Sequence, residues 1–555
     1  MSIRKSIHSL VCLLSLVFSF ALQAQKATFP ERLGERLDLA GSTGQLLVAG
    51  EPIVEISMVS ILYEQAGFQP IWLLPETISS LMHWIERSWG EGLTPGDYHQ
   101  EAISRLMDLE KPSLRQQIEK ELLLSDALLQ LVVHLRTGKV DPMRLFEAWN
   151  YQPDFTGFPG IDSILTAVQD NSIDDLLASQ LPSLGIYPAL REALEKFRMI
   201  RKAGGWGSIA GGPALHPGDK GKRVQDLRRR LRMSGELSGD NPDSADFYDS
   251  KLERAVRLFQ QRHLLDVDGI VGRKTLAALN IPVEEKIQQI RINMERLRWF
   301  NHGIPDEFIG VDLAGFNAFH WKNGAVNWSS AVQVGKPYHQ TPIFRDTITY
   351  IDINPTWTVP TSITRKELAP QLLKAPLEYL RKNEMQLLTP GGQPVDPSSV
   401  DWAAIKPRNF PYVLRQRPGP NNALGRIKFM FPNKYHVYLH DTPSRYLFTR
   451  TRRAFSHGCI RVRKPLELAE MLLAGNRQPW DKKRLEQVIA TRKTRTVILD
   501  HPMPILIIYL TAAPNVDDLA GPLEFRPDIY NRDEKVLKAL DGPVMEKGLK
   551  LLESL

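Results

Sequence analysis

A histidine–glycine–cysteine run is the part of this sequence best suited to covalent chemistry. Residues 454–462 contain Cys459, with His457 two residues before it and Arg461 two residues after it. The chain has 2 cysteines, and the other, Cys12, lies in a segment that we expect to be removed. A cysteine attacks carbonyl carbons as a thiolate, and because its ordinary pKa is about 8.5 it needs a neighbouring base or positive charge. These residue types therefore indicate a cysteine nucleophile.

Two histidines are candidates for the base that such a cysteine needs. His457 would share one face with Cys459 on an extended backbone, because side chains alternate along a strand. His440 ends a predicted strand over 435–440, where alternation places Tyr438 on the same side. A zinc site formed by the two histidines and the cysteine is a further alternative.

The first residues have the pattern of an export signal. Arg4 and Lys5 precede an apolar run over 10–22, and Ala24 is a suitable cleavage point. We predict residues 1–24 to be a signal peptide and the protein to be periplasmic, with an uncleaved inner-membrane anchor as the alternative. A lone thiol in an exported chain has no internal disulfide partner, so it is either incidental or a reactive group.

The first part of the chain after the predicted signal peptide has a helical pattern. Residues 46–202 have apolar residues at helical spacing and no pattern typical of a catalytic site. Within them, residues 121–137 are apolar on nearly every side, which predicts a buried central helix, and Gly138 follows as a stop signal. We therefore interpret residues 46–202 as a helical scaffold domain.

A compact module over 215–280 comes next. Its apolar spacing predicts three helices, and the turn at 268–275 (DGIVGRKT) separates the last two. Gly269 and Gly272 permit tight turns there, and Thr275 can cap the last helix. With its helix motif AVRLFQ, the module resembles the three-helix type of peptidoglycan-binding domain. That resemblance implies that the chain binds cell-wall polymer.

The remaining sequence predicts a different architecture. A connecting helix over 284–300 leads to residues 308–510, where short strands and turn signals indicate a mostly β domain that holds the cysteine motif. Residues 362–425 interrupt this pattern with prolines and glycines, and we interpret them as an inserted lid. Residues 511–555 form a C-terminal tail. The predicted fold class is multidomain α+β, with a helical scaffold, a three-helix binding module and a mostly-β catalytic domain.

The composition excludes some classes of function. The chain has 70 Lys and Arg against 63 Asp and Glu, a formal charge of +7 that is spread along the sequence. Zinc-finger spacing and basic recognition helices are missing from the sequence, so we predict no nucleic-acid partner. We also predict no metal and no other cofactor, because the acidic residues and histidines do not have the spacing of a metal site.

The cysteine motif and its flanks together resemble one enzyme family. His440, fifteen intervening residues and the run SHGCIR at 456–461 resemble the active-site signature of the YkuD-type L,D-transpeptidases. The family has a branch of larger, multidomain proteins from Gram-negative bacteria (YcbB-like). Some members of that branch carry a second Ser at the position of His457, which favours His440 as the base. Motifs that resemble this multidomain Gram-negative (YcbB-like) branch are VGKPY at 334–338, QTP at 340–342, NPTWTVP at 354–360 and LHDTP at 439–443.

The resemblance implies a thioester mechanism on peptidoglycan. Cys459 would attack the diaminopimelate carbonyl of a donor tetrapeptide stem and release D-Ala, and the side-chain amine of an acceptor stem would then form a 3–3 cross-link. His440 would move the protons. The N–H groups of Gly458 and Cys459, with His457 nearby, would form the oxyanion hole. The predicted substrate-binding residues are Arg461, Tyr438, Trp357 and Ser456.

The resemblance leaves the acceptor open. Water would make the protein an L,D-carboxypeptidase, and a protein amine would make it a linker of protein to murein. A non-catalytic cell-wall binding protein is an alternative of another class, although the intact set of His440, His457, Cys459 and Arg461 argues against it. Carbapenem-type β-lactams are expected covalent inhibitors, and other cell-wall synthesis enzymes are candidate partners.

Overall fold

The computed structural model describes residues 28–151, 158–239, 246–300 and 303–547 of the chain. The predicted signal peptide, residues 1–24, and Cys12 within it lie outside these described residues. Within them, no helix is both long enough and apolar enough to cross a membrane.

The N-terminal part is a helical bundle around one long buried helix, α5. Ser113 caps α5 because its hydroxyl accepts the N–H of Gln116, whose side chain returns to the Ser113 N–H. Nearly every residue of α5 after Gln117 is buried, which confirms the predicted central helix. The elements here are α1 (Phe29–Thr43), β1 (Leu47–Val48), β2 (Glu51–Pro52), α2 (Ile56–Gln65), α3 (Pro75–Arg87), α4 (Gln100–Met107), α5 (Leu114–Thr137), α6 (Pro142–Leu145), α7 (Ile161–Gln169), α8 (Ile173–Ala178) and α9 (Ile186–Lys202).

Three helices then form a module with its own apolar core, namely α10 (Lys222–Ser234), α11 (Ser250–Arg262) and α12 (Arg273–Leu279). The turn before α12 is held by Gln260, which donates to Asp268 (2.7 Å) and accepts the Gly269 N–H (2.9 Å). Gly269 has a φ of +74°, and a Cβ there would meet the side chain of Glu253 at 2.9 Å, so the turn requires glycine. The predicted cap at Thr275 is wrong, because α12 begins two residues earlier, after Gly272.

Helix α13 (Val283–Phe300) connects these helical parts to the C-terminal half. It packs along α9, and its Asn293 donates to the hydroxyl of Thr511 (2.8 Å) and accepts the Thr511 N–H (2.8 Å). Arg296, buried on the same helix, forms an ion pair with Asp533 at 2.6 Å. These buried polar contacts fix the C-terminal segment against the connecting helix.

The C-terminal half contains a mixed sheet whose strands close on themselves. The hydrogen-bonded order is β12-β5-β13-β11-β10-β6-β14-β3-β4, and β4 also pairs with β5, so all of these strands except β12 form a ring. Closure leaves the ring without a free edge. The strands are β3 (Glu307–Asp312), β4 (Asn317–Lys322), β5 (Ala325–Gly335), β6 (Phe344–Ile353), β7 (Trp357–Thr358), β8 (Met385–Leu388), β9 (Val413–Gln416), β10 (Ile427–Met430), β11 (Leu439–His440), β12 (Ala454–Ser456), β13 (Ile460–Val462), β14 (Arg495–Ile508), β15 (Ala512–Ala513) and β16 (Glu524–Phe525).

Between β6 and β10, the chain builds a separate unit, which we call the lid. Strands β7, β9 and β8 form a small antiparallel sheet that packs on the lid's own apolar core. The helical pieces are α14 (Thr361–Ile363), a π-helical turn (Thr364–Leu368), α15 (Ala369–Leu372) and α16 (Pro376–Lys382). The helices that follow the cysteine motif are α17 (Pro465–Leu473), α18 (Lys482–Ala490) and α19 (Asp533–Leu540). The structure confirms the predicted α+β fold class.

Candidate active site

The site is organised by one row of residues across four neighbouring strands. Lys428 on β10 is in register with His440 on β11, His440 with Arg461 on β13, and Arg461 with Gln333 on β5. Residues in register on adjacent strands project from the same face of a sheet. Two predicted site residues, His440 and Arg461, are therefore side by side, although twenty residues separate them in sequence.

Cys459 and Tyr438 lie on the same face of the sheet as this row. Cys459 is two residues before Arg461, and Tyr438 is two residues before His440. The N–H of Ile460 donates to the carbonyl of Tyr438 at 3.0 Å, which sets the two chain segments beside each other. The ring of Tyr438 contacts His440 edge-on, with ring centroids 5.6 Å apart, and Lys428 Nζ lies 4.0 Å from the Tyr438 ring centroid. The fold thus gathers the predicted nucleophile, one predicted base and one predicted substrate-binding residue.

The Cys459 thiol is partly exposed and weakly held. Its Sγ donates to the carbonyl oxygen of His436 at 3.6 Å. Burial raises the pKa of Cys459, while hydrogen bonds from Tyr438 and the positive charges of Lys428 and Arg461 oppose that rise. The burial effect is the largest, so the resting group is a thiol that must lose its proton to react.

His440 is buried and held in one tautomer. Its Nδ1 donates to the carbonyl oxygen of Asp441 at 2.5 Å, and because a carbonyl can only accept, the lone pair is on Nε2. Burial and the charge of Arg461 lower the pKa of His440 to about 3. The imidazole is therefore neutral at physiological pH and able to accept a proton at Nε2.

The strand that ends in His440 is shorter than predicted. The sequence pattern suggested a strand over 435–440, but β11 contains only Leu439 and His440. His436 has a φ of +55°, and the side chain of Asn433 bonds the N–H groups of Tyr435 and Val437. This side-chain cap produces a turn where alternation predicted extended backbone.

The structure places two predicted residues, Ser456 and Gly458, in hydrogen bonds within the loop before Cys459. Ser456 was predicted to bind substrate, yet it is buried and its hydroxyl donates to the Cys459 carbonyl (2.6 Å) and accepts the Gly458 N–H (3.1 Å). The Gly458 N–H is therefore occupied inside the loop, which leaves the Cys459 N–H as the backbone candidate for the oxyanion hole. Gly458 has a φ of +119°, which explains glycine at this position.

Thr341 is a buried threonine that was not among the predicted site residues. Its hydrogen bonds hold the loop before Cys459 in place. The hydroxyl of Thr341 donates to the Gly458 carbonyl (2.8 Å) and accepts the Gly335 N–H (3.0 Å). Tyr530 in turn donates to the Gly335 carbonyl at 2.7 Å. Thr341 lies in a motif that carried part of the resemblance, whereas nothing in the sequence linked Tyr530, far along the chain, to Gly335.

Replacing Thr341 with valine should disorder the cysteine loop. The isosteric change leaves the Gly458 carbonyl and the Gly335 N–H without their shared partner, at a free-energy cost of about 1–3 kcal/mol. We expect a lower thermal midpoint and about tenfold slower acylation of Cys459 by a carbapenem. Thr341→Ser keeps the hydroxyl and is the matched control; equal behaviour of the valine and serine variants would contradict the bracing role.

The raised pKa of Cys459 predicts a measurable pH profile. Since the thiolate fraction grows only as pH approaches a raised pKa, alkylation by iodoacetamide should be slow at neutral pH and increase into the alkaline range. Tyr438→Phe removes a hydrogen bond that lowers this pKa, so its profile should shift further to alkaline pH. Without the signal segment, Cys459 is the single thiol, and alkylation reports on it alone. Superimposable profiles for the two proteins would show that the phenol does not act on Sγ.

The contacts of three further predicted site residues can also be described. His457 contacts Glu367 of the lid, its Nε2 lying 2.5 Å from Glu367 Oε1, and its ring centroid is 5.1 Å from that of His339. The guanidinium of Arg461 donates to Gln333 at 3.2 Å. Trp357 belongs to strand β7 and packs against the apolar core of the lid, and its role in binding substrate stays a prediction.

The zinc alternative has no support in the geometry. Among the residues that the structure describes, no three His, Cys, Asp or Glu side chains are grouped so as to hold a metal ion. His457 bonds Glu367, and His440 uses Nδ1 for a backbone carbonyl. The arrangement instead suits proton transfer between Cys459 and a neutral imidazole, beside two fixed positive charges.

Three families match parts of the chain. Residues 306–489 match YkuD, the L,D-transpeptidase catalytic domain; residues 58–194 match a scaffold domain; and residues 220–279 match a candidate peptidoglycan-binding domain. A Haemophilus influenzae protein described as a candidate L,D-transpeptidase is 32% identical over 333 residues. The match covers 58% of this chain and 64% of that protein, a little under two thirds of its length.

Other similarities are more distant or more local. The amidase CwlM of Mycobacterium tuberculosis is 39% identical over 75 residues, which are 12% of this chain and 18% of that protein. The solved L,D-transpeptidase of Xylanimonas cellulosilytica is 13% identical with a TM-score of 0.17, covering 54% of this chain and 99% of its own. The Ldtfm–avibactam carbamoyl enzyme is 15% identical with a TM-score of 0.17, covering 37% and 49%.

Proposed function

We propose that this chain, which carries a YkuD L,D-transpeptidase catalytic domain and a peptidoglycan-binding domain, forms 3–3 cross-links between peptidoglycan stems. The observation that carries the proposal is the grouping of His440 and Arg461 on the adjacent strands β11 and β13 with Tyr438 and Cys459, which directly precede these strands. A nucleophile, a neutral base and fixed positive charge are the components that acyl transfer through a thioester requires.

In the first half-reaction, Cys459 would take the acyl group of a donor tetrapeptide. Nε2 of His440 accepts the thiol proton as Sγ attacks the carbonyl at the L-centre of diaminopimelate. The oxyanion that forms is stabilised by the Cys459 N–H, and Tyr438 and Lys428 stabilise the negative charge at sulfur. His440 then returns the proton to the departing amine of D-Ala, which leaves a thioester on Cys459.

In the second half-reaction, the side-chain amine of an acceptor diaminopimelate would resolve this thioester. The amine nitrogen forms the new amide bond, the carbon–sulfur bond breaks, and the thiol is restored. The cationic residues Arg461 and Lys428 lie beside the thiol, where they suit the terminal carboxylate of a donor stem. Arg461 is held in place by Gln333, so its charge is fixed before substrate arrives.

The position of the binding module supports a polymeric substrate. Arg262 of the module donates to the carbonyl of Leu523 at 2.9 Å, and His263 stacks on Phe525. The module also reaches the chain just before β12, where the hydroxyl of Thr451 donates to Asp266 at 2.5 Å. A peptidoglycan strand bound to the module would therefore be held against the catalytic domain.

We further propose that the protein works in the periplasm, where murein stems are present. The basic and apolar N-terminal pattern supports export, with retention as a membrane anchor as the alternative. Carbapenem-type β-lactams would acylate Cys459 as substrate mimics. Other cell-wall synthesis enzymes are the partners that we would test first by co-purification.

The proposal is tested with purified disaccharide-tetrapeptide. We expect a dimer in which tandem mass spectrometry shows a diaminopimelate–diaminopimelate bond, with release of D-Ala. Accumulation of tripeptide alone would identify an L,D-carboxypeptidase instead. Transfer only to an added protein amine would identify a protein-to-murein linker, and no turnover would favour a non-catalytic wall-binding protein.

A further inference from the structure

The lid touches the cysteine motif through a carboxylate. Glu367 Oε1 lies 2.5 Å from Nε2 of His457, two residues before the nucleophile. Both side chains remain open to solvent, His457 being 28% and Glu367 44% exposed. Glu367 is on the π-helical turn Thr364–Leu368, and such turns are frequent at functional sites.

The contact between Glu367 and His457 is not needed for the stability of the fold. A contact between two partly exposed polar side chains is screened by water and contributes little to folding. The lid has its own sheet and apolar core, which hold it together without Glu367. The contact instead places a carboxylate against the residue two positions before the nucleophile, whereas the charges that act on the thiol itself, those of Lys428 and Arg461, are positive.

This charge distribution bears on how the two substrates enter. A donor stem carries a carboxylate and suits the positive side of the site. The acceptor amine arrives as an ammonium ion, which Lys428 and Arg461 repel. Glu367 is a carboxylate supplied by the lid, and it contacts the cysteine motif at His457. It can attract the ammonium and remove a proton from it.

We propose that Glu367, with His457, forms the binding site for the primary ammonium group of the acceptor. This inference rests on the proposed cross-linking function. Glu367 would bind R–NH3+, take one proton and release it to solvent. The amine then attacks the thioester carbonyl; the carbon–nitrogen bond forms, the carbon–sulfur bond breaks and the electron pair returns to Sγ. A second proton passes from nitrogen through His440 to Sγ, so the products are one amide, one thiol and one released proton.

Glu367→Gln tests the assignment because it keeps the size and a hydrogen bond to His457 but removes the charge. Glu378→Gln is the matched control, since Glu378 is an exposed acid on helix α16 of the same lid. Three rates are measured for each protein with disaccharide-tetrapeptide: D-Ala release, dimer formation, and capture of the thioester by hydroxylamine as a hydroxamate. Hydroxylamine is uncharged at neutral pH and needs neither ammonium binding nor deprotonation.

We expect Glu367→Gln to lower dimer formation about 10- to 100-fold while hydroxamate formation stays within about twofold of wild type. Glu378→Gln should match wild type in all three rates. An equal loss of dimer and hydroxamate would show that Glu367 only positions the lid, and an unchanged dimer rate would show no role; either result overturns the inference. If wild type itself releases D-Ala but makes no dimer, the proposed function fails, and the acceptor site fails with it.

Discussion

Cys459→Ala should abolish both cross-linking and carbapenem acylation. Loss of a catalytic nucleophile lowers kcat by about 10⁶ in a well-studied hydrolase, because the covalent route disappears. We expect no dimer, no D-Ala release and no mass adduct after incubation with a carbapenem. The thiol is partly exposed and its hydrogen bond to the His436 carbonyl is long, so the thermal midpoint should change little.

Cys459→Ser is the matched control for this experiment. It keeps the side-chain size but replaces a thiol with a hydroxyl, which is far harder to deprotonate. A neutral His440 with a pKa of about 3 is a weak base for that purpose, so the serine protein should also be inactive. Turnover by the alanine protein at more than a trace of the wild-type rate would disprove the nucleophile assignment.

His440→Gln should slow acylation at pH 7.5 by about 10²- to 10⁴-fold, the usual contribution of a general base. Glutamine can still donate to the Asp441 carbonyl but cannot take the thiol proton. At pH 9.5 the thiol loses its proton to solvent more readily, so the deficit should shrink as pH rises. The measurement is the rate of carbapenem adduct formation by mass spectrometry at both pH values.

His457→Gln distinguishes the two histidines. The structure places His457 against the lid carboxylate Glu367, whereas His440 is on the strand beside Cys459. We therefore expect His457→Gln to slow acylation much less than His440→Gln does. A larger defect in the His457 variant, or a His440 defect that is the same at both pH values, would contradict the assignment of the base.

The residues that carry the chemistry were recognisable from sequence because they are close together or at fixed spacing. Cys459, Gly458 and Arg461 are in one short run, and His440 is at the end of a short strand before a turn. The parallel pairing of β11 with β13, which brings His440 beside Arg461, could not be predicted from spacing. Pairing depends on the whole closed sheet, which local patterns do not determine.

The supporting residues were missed for the same reason. Glu367 meets His457 from a lid segment ninety residues away, and Tyr530 reaches the Gly335 carbonyl from the C-terminal tail. Ser456 was predicted to bind substrate because of its place in the motif. The structure shows that its hydroxyl forms hydrogen bonds within the loop. The turn before Tyr438 depends on hydrogen bonds to the side chain of one asparagine. The alternation of residues in the sequence predicted extended backbone there instead.

Direct capture of the acyl-enzyme tests the central claim most closely. Wild-type protein is mixed with disaccharide-tetrapeptide, quenched in acid and examined by intact-protein and peptide mass spectrometry. We predict a mass increase equal to the donor acyl group without D-Ala, on the peptide that contains Cys459, and its removal by hydroxylamine. Dimer formation with no adduct at any time, or an adduct on another residue, would contradict the thioester mechanism.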